Sequence, residues 1–319
     1  MKTLFAAAAL ALAPSAAGAS QAGPAQAAAE APAQAAAAAS LADANPAMWV
    51  VRDEDTIVYL FGTFHMLDGR PWFNDEVKAA FDSSDELVLE ALLPEDLAEM
   101  QPLVMRYAVD PNGRKLSERL SPEQNEALGE ALSSIGVPAA AFDPLEPWFV
   151  SMTLVNAAAQ RLGVRPEHGP EVTLSRAAHE RRMDVAELEG IEWQLRLFDA
   201  MTEEQQIVQL TQTIEQLDQM DEEMAPMLAA WSAGDVDGLV ASMHSSMAQS
   251  PELHRWLFTR RNARWANIIN ERMKRPGTVF IAVGAGHLAG PTSVQTLLGA
   301  YGIEADRVEQ TERLAQSGS

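Results

Sequence analysis

The chain contains no cysteine. That excludes disulfides, thiolate-held zinc, iron–sulfur clusters, a thiol nucleophile and a lipidated N-terminal cysteine. Any metal must be held by His, carboxylate or carbonyl groups. Positive charge is scarce: 23 Lys and Arg stand against 45 Asp and Glu, a formal net charge of −22 over 319 residues. Such a surface repels phosphate backbones, so no nucleic-acid partner is expected, and it disfavours anionic membranes. After the N-terminus no run is long and apolar enough to span a bilayer. Gly-x-Ser-x-Gly, a P-loop, His-Glu-x-x-His and a dinucleotide fingerprint after a strand are all missing. What is present is hydrophobic residue, 47% of the chain, enough for a sizeable core.

The N-terminus has the order of a secretory signal, 1–19. Lys2 is the basic region, Leu4 to Pro14 a short apolar run, and Ala17-Gly18-Ala19 a small-x-small cleavage pattern before Ser20. The expected location is periplasmic or secreted, with no stable membrane anchor after cleavage. Residues 20–45 are almost all Ala, Pro, Gln and Ser, a composition with little to bury, and read as a disordered leader. The folded domain is expected over 46–310, with a flexible tail over 311–319.

Within that domain apolar strands alternate with helical patterns. Thr56–Phe61 (TIVYLF), Asp85–Glu90 (DELVLE), Met183–Leu188 and Thr278–Val283 (TVFIAV) read as strands, and Ile303–Val308 as a last short one. Helical spacing covers 74–82, 94–108, 121–135, 146–162 and 171–182. It continues over 191–249 with breaks at Gly234 and Pro251, then over 251–274 and 292–300. The pattern predicts an α/β fold with a mostly parallel central sheet and a helical cap or insertion. TIVYLF-GTFH-ML echoes TVFIAV-GAGH-LAG, so two halves of related design are expected.

Four strand ends carry polar residues: Gly62–His65, Glu90, Glu187–Gly190 and Gly284–His287. In an open α/β sheet the functional crevice lies beyond the carboxyl ends of the parallel strands. His65, His287, Glu90 and Glu189 are therefore expected to converge there. Such a set suits a divalent metal with open positions for water, and equally general acid–base catalysis without metal. The glycines before the histidines suit a positive φ and close approach of a ligand. Backbone N–H groups at Gly62, Gly284 and Gly286 are candidate anion or oxyanion donors. Arg255, Arg260, Arg261 and Arg264 cluster after a stretch without Lys or Arg; on a helix Arg260 and Arg264 share a face and Arg261 points about 100° away. Met220, Met224 and Met227 share a face and read as core. His168, His179, His244 and His254 lack a matching context and are expected to be structural or on the surface.

From Trp49 to Val308 the chain resembles the TraB/GumN-like family, related to the TIKI metalloproteases. The blocks that carry the likeness are GTFH at 62–65, the strand ending in Glu90, GPEVTL at 169–174, ELEGIEWQ at 187–194, RRNARWANII at 260–269 and VGAGHLAGPTSVQTLL at 283–298. The resemblance implies a compact α/β fold and a metal-dependent peptidase site built from two Gly-x-x-His motifs and a glutamate. By motif these are His65, His287 and Glu90, holding a manganese-, cobalt- or zinc-type ion. Metal-bound water would be the nucleophile. Glu189 would be the general base, and Arg261 or the backbone at Gly284–Gly286 the oxyanion donor, with Asn262 completing the Arg-Asn pair. The expected substrate is a peptide or a small molecule. A non-enzymatic periplasmic protein binding a small ligand, haem or a metal for an envelope or polysaccharide process, and a metal-free His/Glu esterase, are the alternatives.

Overall fold

A computed structural model of the chain describes residues 42–94, 96–247 and 251–309. The expected signal peptide, most of the leader and the tail lie outside the described residues.

The strands are β1 (Met48–Arg52), β2 (Thr56–Thr63), β3 (Glu86–Leu89), β4 (Asp184–Glu187), β5 (Gly277–Gly284) and β6 (Asp306–Arg307). The helices are α1 (Asp75–Asp82), α2 (Gln101–Ala108), α3 (Leu116–Arg119), α4 (Pro122–Ser134), α5 (Pro147–Arg161), α6 (Pro170–Arg181) and α7 (Ile191–Asp199). They continue as α8 (Glu203–Gln216), α9 (Met220–Ser232), α10 (Val236–Met247), α11 (Pro251–His254), α12 (Arg260–Arg272) and α13 (Val294–Leu298).

One six-stranded sheet has the order β4-β3-β5-β2-β1-β6. β4, β3, β5 and β2 pair in parallel, while β1 is antiparallel to both β2 and β6. The sheet is thus mixed, where the sequence predicts a mostly parallel one. The antiparallel addition arises because Met48–Arg52 is a strand with no helix between it and β2. The Asp53 side chain accepts from Thr56 N at 2.9 Å and closes a tight hairpin, the connection that antiparallel neighbours allow. Packing also begins before Pro46, since Ala44 is buried in the core.

β2 and β5, the strands that end in Gly-x-x-His, are neighbours paired from Thr56↔Gly277 to Thr63↔Gly284. Their side chains alternate between two cores, as a pleated strand dictates. Phe61, Phe280 and Ala282 join Val77 and Phe81 of α1 and Trp148 of α5 on one face. Val58, Leu60, Val279, Ile281 and Val283 join Trp265 and Ile269 of α12 and Leu298 of α13 on the other. Met220, Met224 and Met227 are core on the first face, as their spacing predicts. A third cluster, Leu116, Leu128, Leu132, Val150, Leu154 and Leu210, contains no strand residue, so the helices α3, α4, α5 and α8 share a core of their own.

The expected long helix over 251–274 is interrupted by a π-helical stretch, Arg255–Thr259. Such wide turns are frequent at functional sites. Here it leads directly into α12, which carries Arg261 and Asn262.

Candidate active site

Parallel pairing puts the carboxyl ends of β2, β3, β4 and β5 on one edge of the sheet. His65 follows β2, Glu90 is the residue after β3, Glu189 lies beyond β4, and His287 lies in the 3-10 turn Ala285–Leu288 after β5. Glu90 Oε1 lies 3.8 Å from His287 Nε2. A Cβ added at Gly284 would stand 3.2 Å from His65 Nε2 and 3.3 Å from Glu90 Oε1. The two histidines and Glu90 therefore meet over Gly284. Close approach, not a positive φ, is what glycine provides there, since its φ is −50°. The same correction holds at Gly62, which has no positive φ and where a Cβ would meet the Ala285 Cβ at 3.1 Å.

Arg261 is the hub. Its Nε donates to Glu189 Oε1 and Oε2, both at 3.1 Å. Nη1 donates to Leu257 O and to His287 Nε2, both at 3.1 Å. Nη2 donates to Glu90 Oε2 at 2.8 Å and Glu189 Oε2 at 2.9 Å. A guanidinium has five N–H groups, and all five are used. The expected oxyanion role for Arg261 is thereby corrected: it has no donor left to offer. Glu189 is corrected with it, because its side chain is 0% exposed and both oxygens face Arg261. It is the counter-ion that holds the guanidinium, not a base open to substrate. Trp265 stacks under the same cation, with Arg261 Cζ 4.8 Å from the ring centre.

Two of the three backbone donors are committed as well. Gly284 N–H donates to Glu90 Oε1 at 2.7 Å, and Gly62 N–H to Ala47 O at 3.3 Å. Gly286 is pressed against Met243 and Phe258. Neither Gly62 nor Gly284 is the free oxyanion amide the sequence suggests.

Both histidines are anchored through Nδ1, by different partners, and they are charged differently. His287 Nε2 accepts from Arg261, so its proton lies on Nδ1, which donates to Asn262 Oδ1 at 2.5 Å. Asn262 Nδ2 in turn donates to Thr292 O at 2.7 Å, which fixes the amide. Burial and the Arg261 charge push His287 down from 6.5 to about 3, so it is neutral. His65 Nδ1 donates to Glu171 Oε1 at 2.6 Å, and the same oxygen accepts from Thr63 Oγ1 at 2.5 Å. Burial opposes a charge on His65, but the Glu171 carboxylate outweighs it and raises the ring from 6.5 to about 9. Burial likewise opposes ionisation of Glu90, yet Arg261, the histidines and Gly284 N–H bring it from 4.5 down to about 2. Neighbouring titratable groups driven apart in this way occur in catalytic centres and in structural ion-pair networks alike. His65 is also the most open of these groups, with 28% of its side chain exposed against 5% for His287 and 9% for Glu90.

Four contributors escape the reading of the strand ends. Glu171 and Thr63 hold His65. Gln194 donates to Glu90 Oε2 at 3.2 Å. At Gly169 a Cβ would strike the His65 carbonyl oxygen at 2.3 Å. Thr63 lies inside GTFH, and Gly169 and Glu171 lie inside GPEVTL, so the blocks are visible but the pairing between them is not. Among the remaining histidines, His168 Nδ1 lies 3.3 Å from Leu67 O, and His254 stacks on Phe258, which itself packs on His287.

The model of the TraB/PrgY/gumN family matches residues 47–307. The chain belongs to that family. All the centre's residues, Gly62 to His287, fall within the TraB/PrgY/gumN match. Among similar proteins is one named "Uncharacterized protein YbaP" of Escherichia coli (strain K12), 26% identical over 255 residues, covering 79% of this chain and 92% of that one. Another is the protein of the same name from Shigella flexneri, 28% identical over 192 residues, covering 60% and 71%. No solved structure matches the chain.

A divalent ion can be tested against this geometry. The donor types suit one, and each His ligand would be held at Nδ1 as metal-bound histidines are. Against that, Arg261 already fills the His287 Nε2 lone pair and Glu90 Oε2. Among the described residues no group of three or more His, Asp or Glu is arranged to hold an ion. The side chains as placed form a guanidinium-centred cluster, not a ready metal site.

Proposed function

We propose that this chain is an exported hydrolase acting on an acyl substrate, a peptide bond or a small ester, with His65 as the group that meets it. The observation that carries the reading is the contrast between His65 and Arg261. Arg261 has every N–H engaged inside the protein, whereas His65 has a part-exposed side chain whose Nε2, on the same side of Gly284 as Glu90 Oε1, has no hydrogen-bond partner among the described residues. A cationic imidazole there donates Nε2–H to a carbonyl oxygen as negative charge develops, or to the departing atom. Glu90 Oε1 accepts from Gly284 N–H and has a lone pair left for a water. Arg261, Glu189 and Gln194 keep that carboxylate ionised and in place.

A second reading, the TIKI-like peptidase using a manganese-, cobalt- or zinc-type ion at His65, Glu90 and His287, is supported by the Nδ1 anchoring of both rings. It requires Arg261 to leave His287. Export rests on the signal-like N-terminus, and the reciprocal packing of Gly62 on Ala285 and Gly284 on His65 supports two related halves meeting at the β2–β5 seam.

The test uses the chain from Ser20 with fluorogenic peptides and nitrophenyl esters, with EDTA or with added Mn²⁺, Co²⁺ or Zn²⁺. Turnover that survives EDTA and disappears in His65→Ala supports the first reading. Turnover that requires added ion supports the second. Saturable ligand binding without turnover on any substrate overturns both in favour of a binding protein.

A further inference from the structure

The two Gly-x-x-His units are alike in sequence but not in what holds the imidazole. After β5 the partner of Nδ1 is an amide, Asn262, tied down by the Thr292 carbonyl. After β2 it is a carboxylate, Glu171, at the second position of α6. Glu171 Oε1 is itself gripped by Thr63 Oγ1 from the last residue of β2, and Thr63 is 2% exposed. The second unit has Ala285 where the first has Thr63. The backbone supports the same arrangement: Leu67 and Arg165 exchange hydrogen bonds at 3.1 and 2.8 Å, joining the loop after His65 to the segment before α6. Gly169 lets the His65 carbonyl come within a distance no side chain would permit.

We infer that Glu171, held by Thr63, is a positioning residue for His65: it holds the Nδ1–H in a hydrogen bond and fixes the ring orientation, so that Nε2 faces Gly284. A carboxylate on one imidazole nitrogen sets which face of the ring does chemistry with the other. Thr63 limits Glu171 to one rotamer, because the hydroxyl and the imidazole converge on a single carboxylate oxygen. The threonine of GTFH and the glutamate of GPEVTL are thus one device divided between β2 and α6. The kinetic consequence rests on the hydrolase reading; the Nδ1–H bond and the ring orientation do not.

The test is two-dimensional NMR of the histidine ring nitrogens in the chain from Ser20, for wild type, Glu171→Gln, Glu171→Ala and Thr63→Val. In wild type, His65 shows a bonded Nδ1–H with a proton far downfield. Glu171→Gln, whose amide oxygen accepts in the same place, keeps the Nδ1–H. Glu171→Ala loses that bonded, downfield proton, while His287, held by Asn262, is unchanged and reports that the fold is intact. Thr63→Val keeps the bonded Nδ1–H but broadens the His65 signal. If His65 keeps its far-downfield Nδ1–H signal in Glu171→Ala, or if His287 changes as much as His65, the inference is wrong. On any substrate that His65→Ala abolishes, Glu171→Ala lowers kcat about 10- to 100-fold with KM little changed, as outer-shell partners of functional histidines do. An unchanged kcat there removes the catalytic consequence. Turnover that survives His65→Ala defeats the hydrolase reading instead and leaves the Nδ1–H result standing.

Discussion

Arg261 Nη2 lies 2.8 Å from Glu90 Oε2, and both side chains are buried at the carboxyl edge of the sheet. The pair is the centre of a network, not an isolated salt bridge, because the same guanidinium also closes on Glu189, His287 and the Leu257 carbonyl. A buried ion pair stabilises only when its remaining donors and acceptors are satisfied. Here the cation satisfies two carboxylates and a lone pair at once. Removing it leaves two buried negative charges facing one another.

Arg261→Ala is therefore expected to cost about 3–5 kcal/mol, the range for breaking a buried pair by deleting one partner. Arg261→Lys should recover only part, since an ammonium has three donors on a flexible stem and no planar fork. Urea unfolding followed by circular dichroism measures both. A loss below about 1 kcal/mol for Arg261→Ala, the range of exposed pairs, means that the network is solvated and the hub description is wrong.

The opposite shifts of the two histidines predict a stability optimum. His65 has its folded pKa raised from 6.5 to about 9, so its contribution is whole below 6.5 and lost as pH rises through about 9. His287 is lowered from 6.5 to about 3, and Glu90 from 4.5 to about 2. Their contributions are present above 6.5 and 4.5 respectively, and decline as pH falls through those windows. Thermal melts from acid to alkaline pH should show the difference between wild type and His65→Gln shrinking as pH rises from 6.5 to about 9 and levelling off above it. Each 1 kcal/mol moves the midpoint of a domain this size by about 2–4 °C. A difference that stays constant with pH contradicts the assigned charge on His65.

Much of this was legible in the residues. Strand ends are readable because TIVYLF and TVFIAV have the β-branched, aromatic makeup of buried strands and are followed by glycine. The helical phase of Arg260, Arg261 and Arg264 separates the buried arginine from the two exposed ones. Met48–Arg52 was not legible as a strand, because five residues after a low-complexity leader give no period to count. Its hairpin depends on the Asp53 side chain, a tertiary detail of one turn. Donor saturation at Arg261 was equally out of reach: spacing places a guanidinium near a carboxylate but does not count its hydrogen bonds. Glu171 is many residues from His65 in the chain, and only the pairing of the two loops brings them together.

Glycine substitutions should separate chemistry from folding. At Gly284 the φ of −50° admits an L-residue, so Gly284→Ala strains only the contacts at 3.2 Å to His65 Nε2 and 3.3 Å to Glu90 Oε1. Stability should fall by about 1 kcal/mol, at the low end of overpacking. Turnover on any substrate that needs His65 should fall by at least about tenfold, since small misplacements of reacting groups are costly. Gly169→Ala meets a backbone carbonyl at 2.3 Å, which does not rotate away. It should destabilise by about 1–3 kcal/mol, more than Gly284→Ala. Equal stability losses at the two positions, measured by urea unfolding, would falsify the close-approach account.

Asn262→Asp provides the converse experiment at the second histidine. The amide accepts from His287 Nδ1 and donates to Thr292 O, and a carboxylate performs only the first of those tasks. The new charge then faces the Thr292 carbonyl with no donor between them, at a position 1% exposed. Leaving such a group unsatisfied costs about 1–3 kcal/mol, or more when it is charged. The His287 ring gains an anionic partner of the kind His65 has in Glu171, so its pKa should rise above the wild-type value of about 3. Histidine NMR titration of the variant reads that shift directly, and urea unfolding reads the cost. A pKa that stays put would mean that burial and the Arg261 charge alone determine the protonation of His287, and that the amide-for-carboxylate difference between the two units is not what divides their roles.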